Sequence, residues 1–502
     1  MSSRSTSTAA SVTAPVAAGA PRWKSALILV VCCTAIFMTT LDGTILNVAL
    51  PSMGAQLHAS SVEQEWAVNS YIITRAGLLL VAAAIGDRFG RKRAFAIGMI
   101  VFTLGSLGCA LSLSAGMLIG FRVVEAVGGT FMTPASMALL AGVFTDPGKR
   151  AQAFGWWSAA TGVSTTAGPL IGGALVQAFG WQSVFYVNIP VGILGLLGLR
   201  LLTESRAAIP PRINVVPQVL IALVIVGLVY GLMISPEAGW GNPKVYISLV
   251  VAALAAVTFL LWEWRSTNRL FTTKPGMGVN LASISFIAIA CYIGINGFTF
   301  YNSLYLQEVR GFMPLLAGLL ITPVMVASIV LSPIAGWLTG RFGAKWVTAV
   351  SCALIAIPIG ILAMMLRPGT PIWALVLCYG LLGIGYGVLN APLSTATVAS
   401  MDDKSSGVAA ATTSTSRQIG TSTGIALVGI FVYTSFPAGQ QSPAGGVYPP
   451  QLGALFTSGV ATGWAVTALI SLTAVVVAVV GLKGRGKKVE EQDRLAVPLV
   501  EE

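Results

Sequence analysis

Only 9% of the 502 residues are charged, and a single histidine, His58, is present. Soluble domains carry about 25% charged residues, so this composition excludes an ordinary water-exposed surface. One histidine, placed near a loop, leaves no second imidazole for a catalytic pair or a metal cluster. The six cysteines (Cys32, Cys33, Cys109, Cys291, Cys352, Cys378) show no CxxC spacing and all fall in apolar runs. That pattern favours packing over metal or redox chemistry. A Walker A phosphate loop is also missing, which speaks against ATP-driven work. The expectation is a protein that is not an enzyme and holds no metal.

What is abundant is apolar sequence, 55% of the chain. Runs of about 20 apolar residues suit membrane-spanning helices. Fourteen are predicted: six near 25–50, 65–86, 94–112, 115–141, 151–178 and 181–202, two near 213–235 and 245–262, and six near 279–305, 315–338, 346–366, 371–398, 408–435 and 452–482. The net charge of +12 is sided and does not point to nucleic acid. Alternate loops and both tails hold nearly all the bases, among them Arg88, Arg91, Lys92, Arg93, Lys149, Arg150, Arg341 and Lys345. The opposite loops hold only Lys244, Arg310 and Arg367. By the positive-inside rule both termini are expected in the cytoplasm. Residues 1–24 read as a disordered cytoplasmic tail and 483–502 as a second tail. A monomer in the lipid bilayer is expected.

Two segments echo each other. AAIGDRFGRK (Ala83–Lys92) and GWLTGRFGAK (Gly336–Lys345) share an Arg-Phe-Gly core and a closing Lys. EAVGGTFMTPAS (Glu125–Ser136) and GIGYGVLNAPLS (Gly383–Ser394) form a second pair. The echoes align when two spans in the middle are removed. The predicted organisation is a six-helix bundle over 25–202, two inserted helices with linkers over 203–278, and a six-helix bundle over 279–482. Parallel halves of this kind build many secondary transporters, with the substrate site between them.

On these motifs the chain resembles the major facilitator superfamily, specifically its fourteen-helix drug:proton antiporter branch. LDGTILNVALP (Leu41–Pro51) is similar to the branch's first-helix motif, with its acid at Asp42. GDRFGRKR resembles the family's loop motif between helices 2 and 3, with Asp87, Arg88, Gly90 and Arg91 expected to latch a cytoplasmic gate, the alternative being a positive cluster that only sets topology. FRVVEAVGG resembles the fourth-helix motif around Arg122, but Glu125 stands where the family often has Gln. AGPLIGG resembles the fifth-helix antiporter motif, with Gly168, Pro169, Gly172 and Gly173. The resemblance implies an all-α integral membrane fold and efflux of drugs or antibiotics against protons, with no cofactor beyond that coupling ion. It places the protein in the bacterial inner membrane. An uptake permease or an exporter dedicated to one metabolite is the alternative.

Charges inside spans are costly and mark function. Five are predicted: Asp42, Arg75, Arg122, Glu125 and Arg417. At about 1.5 Å per residue, the first four fall roughly 10–15 Å inside the outer ends of their helices, in one layer. Asp42 and Glu125 are expected to carry the coupling proton, with Arg122 responding to their charge and Arg75 and Arg417 as intramembrane charge partners. A fixed Arg122–Glu125 pair is the competing reading for Glu125. Candidates to line the substrate cavity are Trp66, Asn69, Tyr71, Met132, Asn296, Tyr301, Asn302 and Asn390. With three arginines against two acids in the spans, neutral, zwitterionic or weakly anionic amphiphiles are favoured as substrates.

Overall fold

A computed structural model describes residues 22–144, 146–206, 215–265, 277–400, 406–437 and 447–482. The expected tails therefore lie outside the described residues, apart from Arg22, Trp23 and Lys24. The chain folds as helices α1 (Arg22–Leu57), α2 (Ser61–Phe89), α3 (Arg91–Ala110), α4 (Ala115–Val143), α5 (Pro147–Phe179), α6 (Ser183–Tyr186), α7 (Asn188–Gly198), α8 (Val215–Ala238), α9 (Pro243–Arg265), α10 (Gly278–Leu304), α11 (Pro314–Phe342), α12 (Ala344–Met365), α13 (Ile372–Ser400), α14 (Ser406–Thr434) and α15 (Pro450–Gly481). Helices satisfy their own backbone polar groups, which lipid cannot do.

Ten of these helices are long and apolar enough to cross a membrane, and α2, bent by 52° near residue 80, makes eleven. The expected fourteen spans are consistent with this. The other three would be α5, α6 with α7, and α14, whose apolar stretches are shorter or broken by hydroxyl residues. The apolar exposure is that of a lipid-facing surface: on α9 alone Ile247, Val250, Leu254, Val257 and Leu260 point outward.

Local sequence sets the helix ends. Ser60 and Glu63 form a reciprocal capping box that starts α2, satisfying amide donors that have no partner inside the helix. Ser114 caps α4, and Asp146 followed by Pro147 opens α5. The Arg-Phe-Gly echo has a backbone cause. Gly90 (φ 125°) and Gly343 (φ 80°) turn α2 into α3 and α11 into α12, in a region that favours glycine. The other echo places Pro134 inside α4 and Pro392 inside α13.

Within the first group, α1 packs on α5, α4 on α2 and α3, and α7 on α3. Within the last, α10 packs on α14 and α15, α13 on α11 and α12, and α12 on α15. Helices α8 and α9 pair with each other, and α8 lies against both α2 and α14. The two groups meet where α5 packs on α11 and α2 on α14.

Candidate functional site

Three helices of the first group bring a charge cluster together. Arg122 and Glu125 lie three residues apart and so share one face of α4. Asp42 comes from α1. Arg122 Nη1 donates to Asp42 Oδ2 at 2.5 Å and to Glu125 Oε2 at 2.9 Å, while its Nε donates to the Ala67 carbonyl of α2 at 3.1 Å. All three charged side chains are at most 1% exposed. The Tyr71 ring lies under the guanidinium, 4.2 Å from ring centroid to Cζ, and the Phe185 ring is 5.7 Å away. Cys109 donates a long 3.6 Å contact to Glu125 Oε2. Asp42 Oδ1 is buried without a hydrogen-bond partner among the described residues.

Arg75 is not in this ion pair. It donates to the Thr39 carbonyl at 3.3 Å and to Thr133 Oγ1 at 3.5 Å, and it faces Tyr71 at 5.3 Å. The expected layer of four charges is therefore a triad, with Arg75 one aromatic ring away. The arrangement joins Arg122 to both acids, and the Arg122–Glu125 pair is one of its two ionic contacts.

Arg417 sits in the other group. It donates to Asn390 Oδ1 at 3.2 Å and lies 5.9 Å from the Tyr292 ring. Tyr292 donates to the same Asn390 oxygen at 3.1 Å and meets Tyr386 edge-on. Asn296 donates to the Tyr292 carbonyl. This is a polar, aromatic patch shared by α10, α13 and α14.

Other cavity candidates are placed elsewhere. Trp66 packs on Tyr230, and Asn69 donates to the Met233 sulfur at 3.5 Å, so both face the inserted helix α8. Met132 is buried in the core with Phe95, Met99 and Phe102. Tyr71 belongs to the charge cluster. Asn302 is buried and accepts from Tyr379 at 2.5 Å. Tyr301 donates to Glu65, a carboxylate outside the five intramembrane charges predicted from sequence. Glu308, just beyond α10, is likewise buried and was not anticipated. The second predicted span opens on residue 65 and the ninth closes at 305, which sets both acids at span ends.

The halves are joined at the end where α1 finishes and α2 starts. Ser303 Oγ donates to the Asn47 carbonyl at 2.8 Å, and Gln307 Nε2 to the Val48 carbonyl at 3.2 Å. Pro51 explains the first bond. It has no N–H to return to residue 47, so the Asn47 carbonyl is left for the opposite half. Of the antiporter-motif residues, Gly173 and Pro169 lie at this seam against α11, while Gly168 and Gly172 face α1 of their own half. A methyl on Gly173 would come 2.6 Å from the Pro314 carbonyl of α11, and one on Gly172 would come 2.7 Å from Ile45. Gly168 abuts Thr44, and the Pro169 carbonyl is pressed against Gly318.

At the other end, Asp87 pairs with Arg91 at 2.8 Å. The linker after α7 ties this turn down. Glu204 accepts from the amides of Lys92 (3.0 Å) and Arg93 (3.3 Å), and Lys92 Nζ donates to the Leu202 carbonyl at 2.6 Å. Arg88 is exposed. These partners all belong to the first group. Glu204 is a further residue that the motif alone did not reveal.

A family model described as Major Facilitator Superfamily matches residues 32–425. The chain belongs to the major facilitator superfamily. Among its relatives, the methylenomycin A resistance protein of Bacillus subtilis is 31% identical over 408 residues, covering 81% of this chain and 88% of that one. The tetracenomycin C resistance and export protein of Streptomyces glaucescens is 34% identical over 403 residues, covering 79% and 74%. A crystal structure of a bacterial homolog of the human lysosomal transporter Spinster, inward-facing and unoccupied, shares the fold. Its TM-score is 0.65 at 17% identity, over 92% of this chain and 98% of that one. This superfamily member is thus a multi-pass membrane transporter.

Proposed function

We propose that the protein is a proton-coupled exporter of amphipathic drugs or antibiotics, working by alternating access in the bacterial inner membrane with both termini cytoplasmic. The observation that carries the coupling is the charge count of the buried triad. One guanidinium faces two carboxylates, and a buried charge without a counterion is costly. The triad is balanced when one carboxylate holds a proton. It carries a net negative charge when both are ionised. A site with those two states takes up a proton when open to one side and releases it when open to the other.

The charged loops support the orientation: the Asp87–Arg91 turn faces the cytoplasm, and the α1–α2 end faces out. In the conformation described, the seam at the outer end is closed. Protonation of the triad then favours the outward-open state that releases substrate, and loss of the proton to the cytoplasm resets it. The Arg417, Asn390 and Tyr292 patch offers hydrogen bonds and aromatic faces to an amphiphile. The export direction draws on the relatives named for resistance and export.

The test is a drug-sensitivity panel in an efflux-deficient host, comparing wild type with Asp42→Asn at matched expression. Protection against at least one amphipathic compound is expected for wild type and not for the variant. A well-expressed wild type that protects against nothing would overturn export. Protection unchanged by the substitution would remove Asp42 from the coupling.

A further inference from the structure

Glu65 lies in the second turn of α2 and is fully buried. Two tyrosines of the opposite half converge on its Oε1. Tyr433 of α14 donates at 3.0 Å, and Tyr301 of α10 donates in a shorter contact. The partner helix is shaped to receive this carboxylate. A methyl on Gly429 of α14 would lie 2.8 Å from the Tyr301 hydroxyl and 3.2 Å from the Glu65 carboxyl carbon. Gly429, Tyr301 and Tyr433 therefore form a cradle on one half for an acid carried by the other.

Groups from several elements face Glu65 or lie near it. Tyr301 comes from α10 and Tyr433 from α14, and Tyr448, ahead of α15, lies behind Tyr433. On α8, none of the described side chains is charged. Its near neighbour on α2, Glu63, is turned to its own cap at Ser60. Arg75 lies ten residues on, roughly 15 Å along the helix. Arg122 reaches α2 at the Ala67 carbonyl and the Tyr71 ring.

Hydrogen bonds to an ionised carboxylate are roughly twice as strong as neutral ones. The grip of both tyrosines thus depends on the charge of Glu65. We propose that Glu65 is a second proton-responsive group, separate from the triad: ionised, it is clasped by Tyr301 and Tyr433 and holds the outer seam shut, and protonated from outside it lets the seam open. The proposal rests on alternating access and on the orientation proposed above. It does not require that the substrate be a drug.

The experiment measures the seam directly. Leu113, between α3 and α4, and Met313, before α11, are exposed at the same end on opposite halves. Spin labels at Leu113→Cys and Met313→Cys, in the full chain with its native cysteines replaced, report their separation in lipid nanodiscs from pH 8 to pH 5. Wild type should gain a longer-distance population as pH falls. Glu65→Gln should show that population already at pH 8, with the open-to-closed ratio raised on the order of tenfold, and should respond less to acid. Tyr433→Phe and Gly429→Ala should shift the ratio the same way, and Glu65→Gln should still raise it in an Asp42→Asn background, though by a different factor. Wild-type distances at every pH in Glu65→Gln and in Tyr433→Phe would overturn the proposal. Because distances and drug protection are read separately, the clamp and the export reading can fail independently.

Discussion

Changing the number of charges in the triad should separate folding from coupling. Arg122→Met leaves Asp42 and Glu125 buried with no cation. Breaking a buried ion pair from one side costs about 3–5 kcal/mol, because the remaining charge is stranded. At an effective dielectric of about 20, a charge pair at the 2.9 Å seen between Arg122 and Glu125 attracts by roughly 6 kcal/mol. That is similar to the desolvation cost of the ions, so a single guanidinium offsets about one carboxylate. Asp42→Asn should therefore behave unlike Arg122→Met. It leaves a neutral Arg122–Glu125 pair, and thermal unfolding in detergent should be unchanged or slightly raised. Proteoliposomes carrying it should lose substrate accumulation driven by a pH gradient but keep passive substrate exchange. Adding Asp42→Asn and Glu125→Gln to Arg122→Met should recover most of the lost stability. If Asp42→Asn still accumulates substrate on a pH gradient, or if Arg122→Met melts like wild type, the charge-balance reasoning fails.

Two other sites give sharp expectations. Gly173→Ala should lower transport by about tenfold or more by holding the outer seam apart, since the added methyl meets the backbone of Pro314 and Leu315 and packed backbone yields poorly. Gly116→Ala, which meets nothing within 4 Å, is the control, and counterflow uptake distinguishes them. Glu204→Ala should cost about 1 kcal/mol of stability, since the carboxylate accepts from the first amides of α3 and acids at helix N-termini are worth about that much. A thermal melt in detergent checks it, with transport at low temperature little changed.

The triad was legible because its members sit deep in apolar runs, where any charge stands out. The ordering of helices was legible from length and apolarity, and the two-fold echo from Arg-Phe-Gly and the intrahelical prolines. Orientation around each helix was not legible. Trp66 and Asn69 lie three residues apart on one face of α2, but which helix covers that face depends on where the inserted pair docks. Burial near helix ends was also hidden. The Ser60–Glu63 capping box was a readable sign that α2 starts at Ser61, which would have put Glu65 one turn inside. At the end of α10 the chain continues as a π-helical turn, Tyr305–Val309, and carries Glu308 with it. Counting these two acids removes the excess of arginines over acids that favours neutral, zwitterionic or weakly anionic substrates.

The position of Glu65 bears on how the triad and the seam act together. Arg122 holds the Ala67 carbonyl and stacks on Tyr71, while Glu65 is held by the opposite half. All three contacts fall on one stretch of α2, less than two turns long. On α1, Asp42 precedes by little more than one turn the Asn47 and Val48 carbonyls that bind Ser303 and Gln307. When the triad gains or loses a proton, Arg122 must redistribute its bonds, and two of its partners lie on the helix stretches that also carry the seam. Opening the seam in turn frees Glu65 and releases one restraint on the segment that Arg122 grips. A substitution at either place should therefore alter the proton dependence of the other. Double-mutant cycles between Asp42→Asn and Glu65→Gln, read as the open-to-closed ratio, would show that link as a non-additive term. Strict additivity would mean two independent switches on one helix.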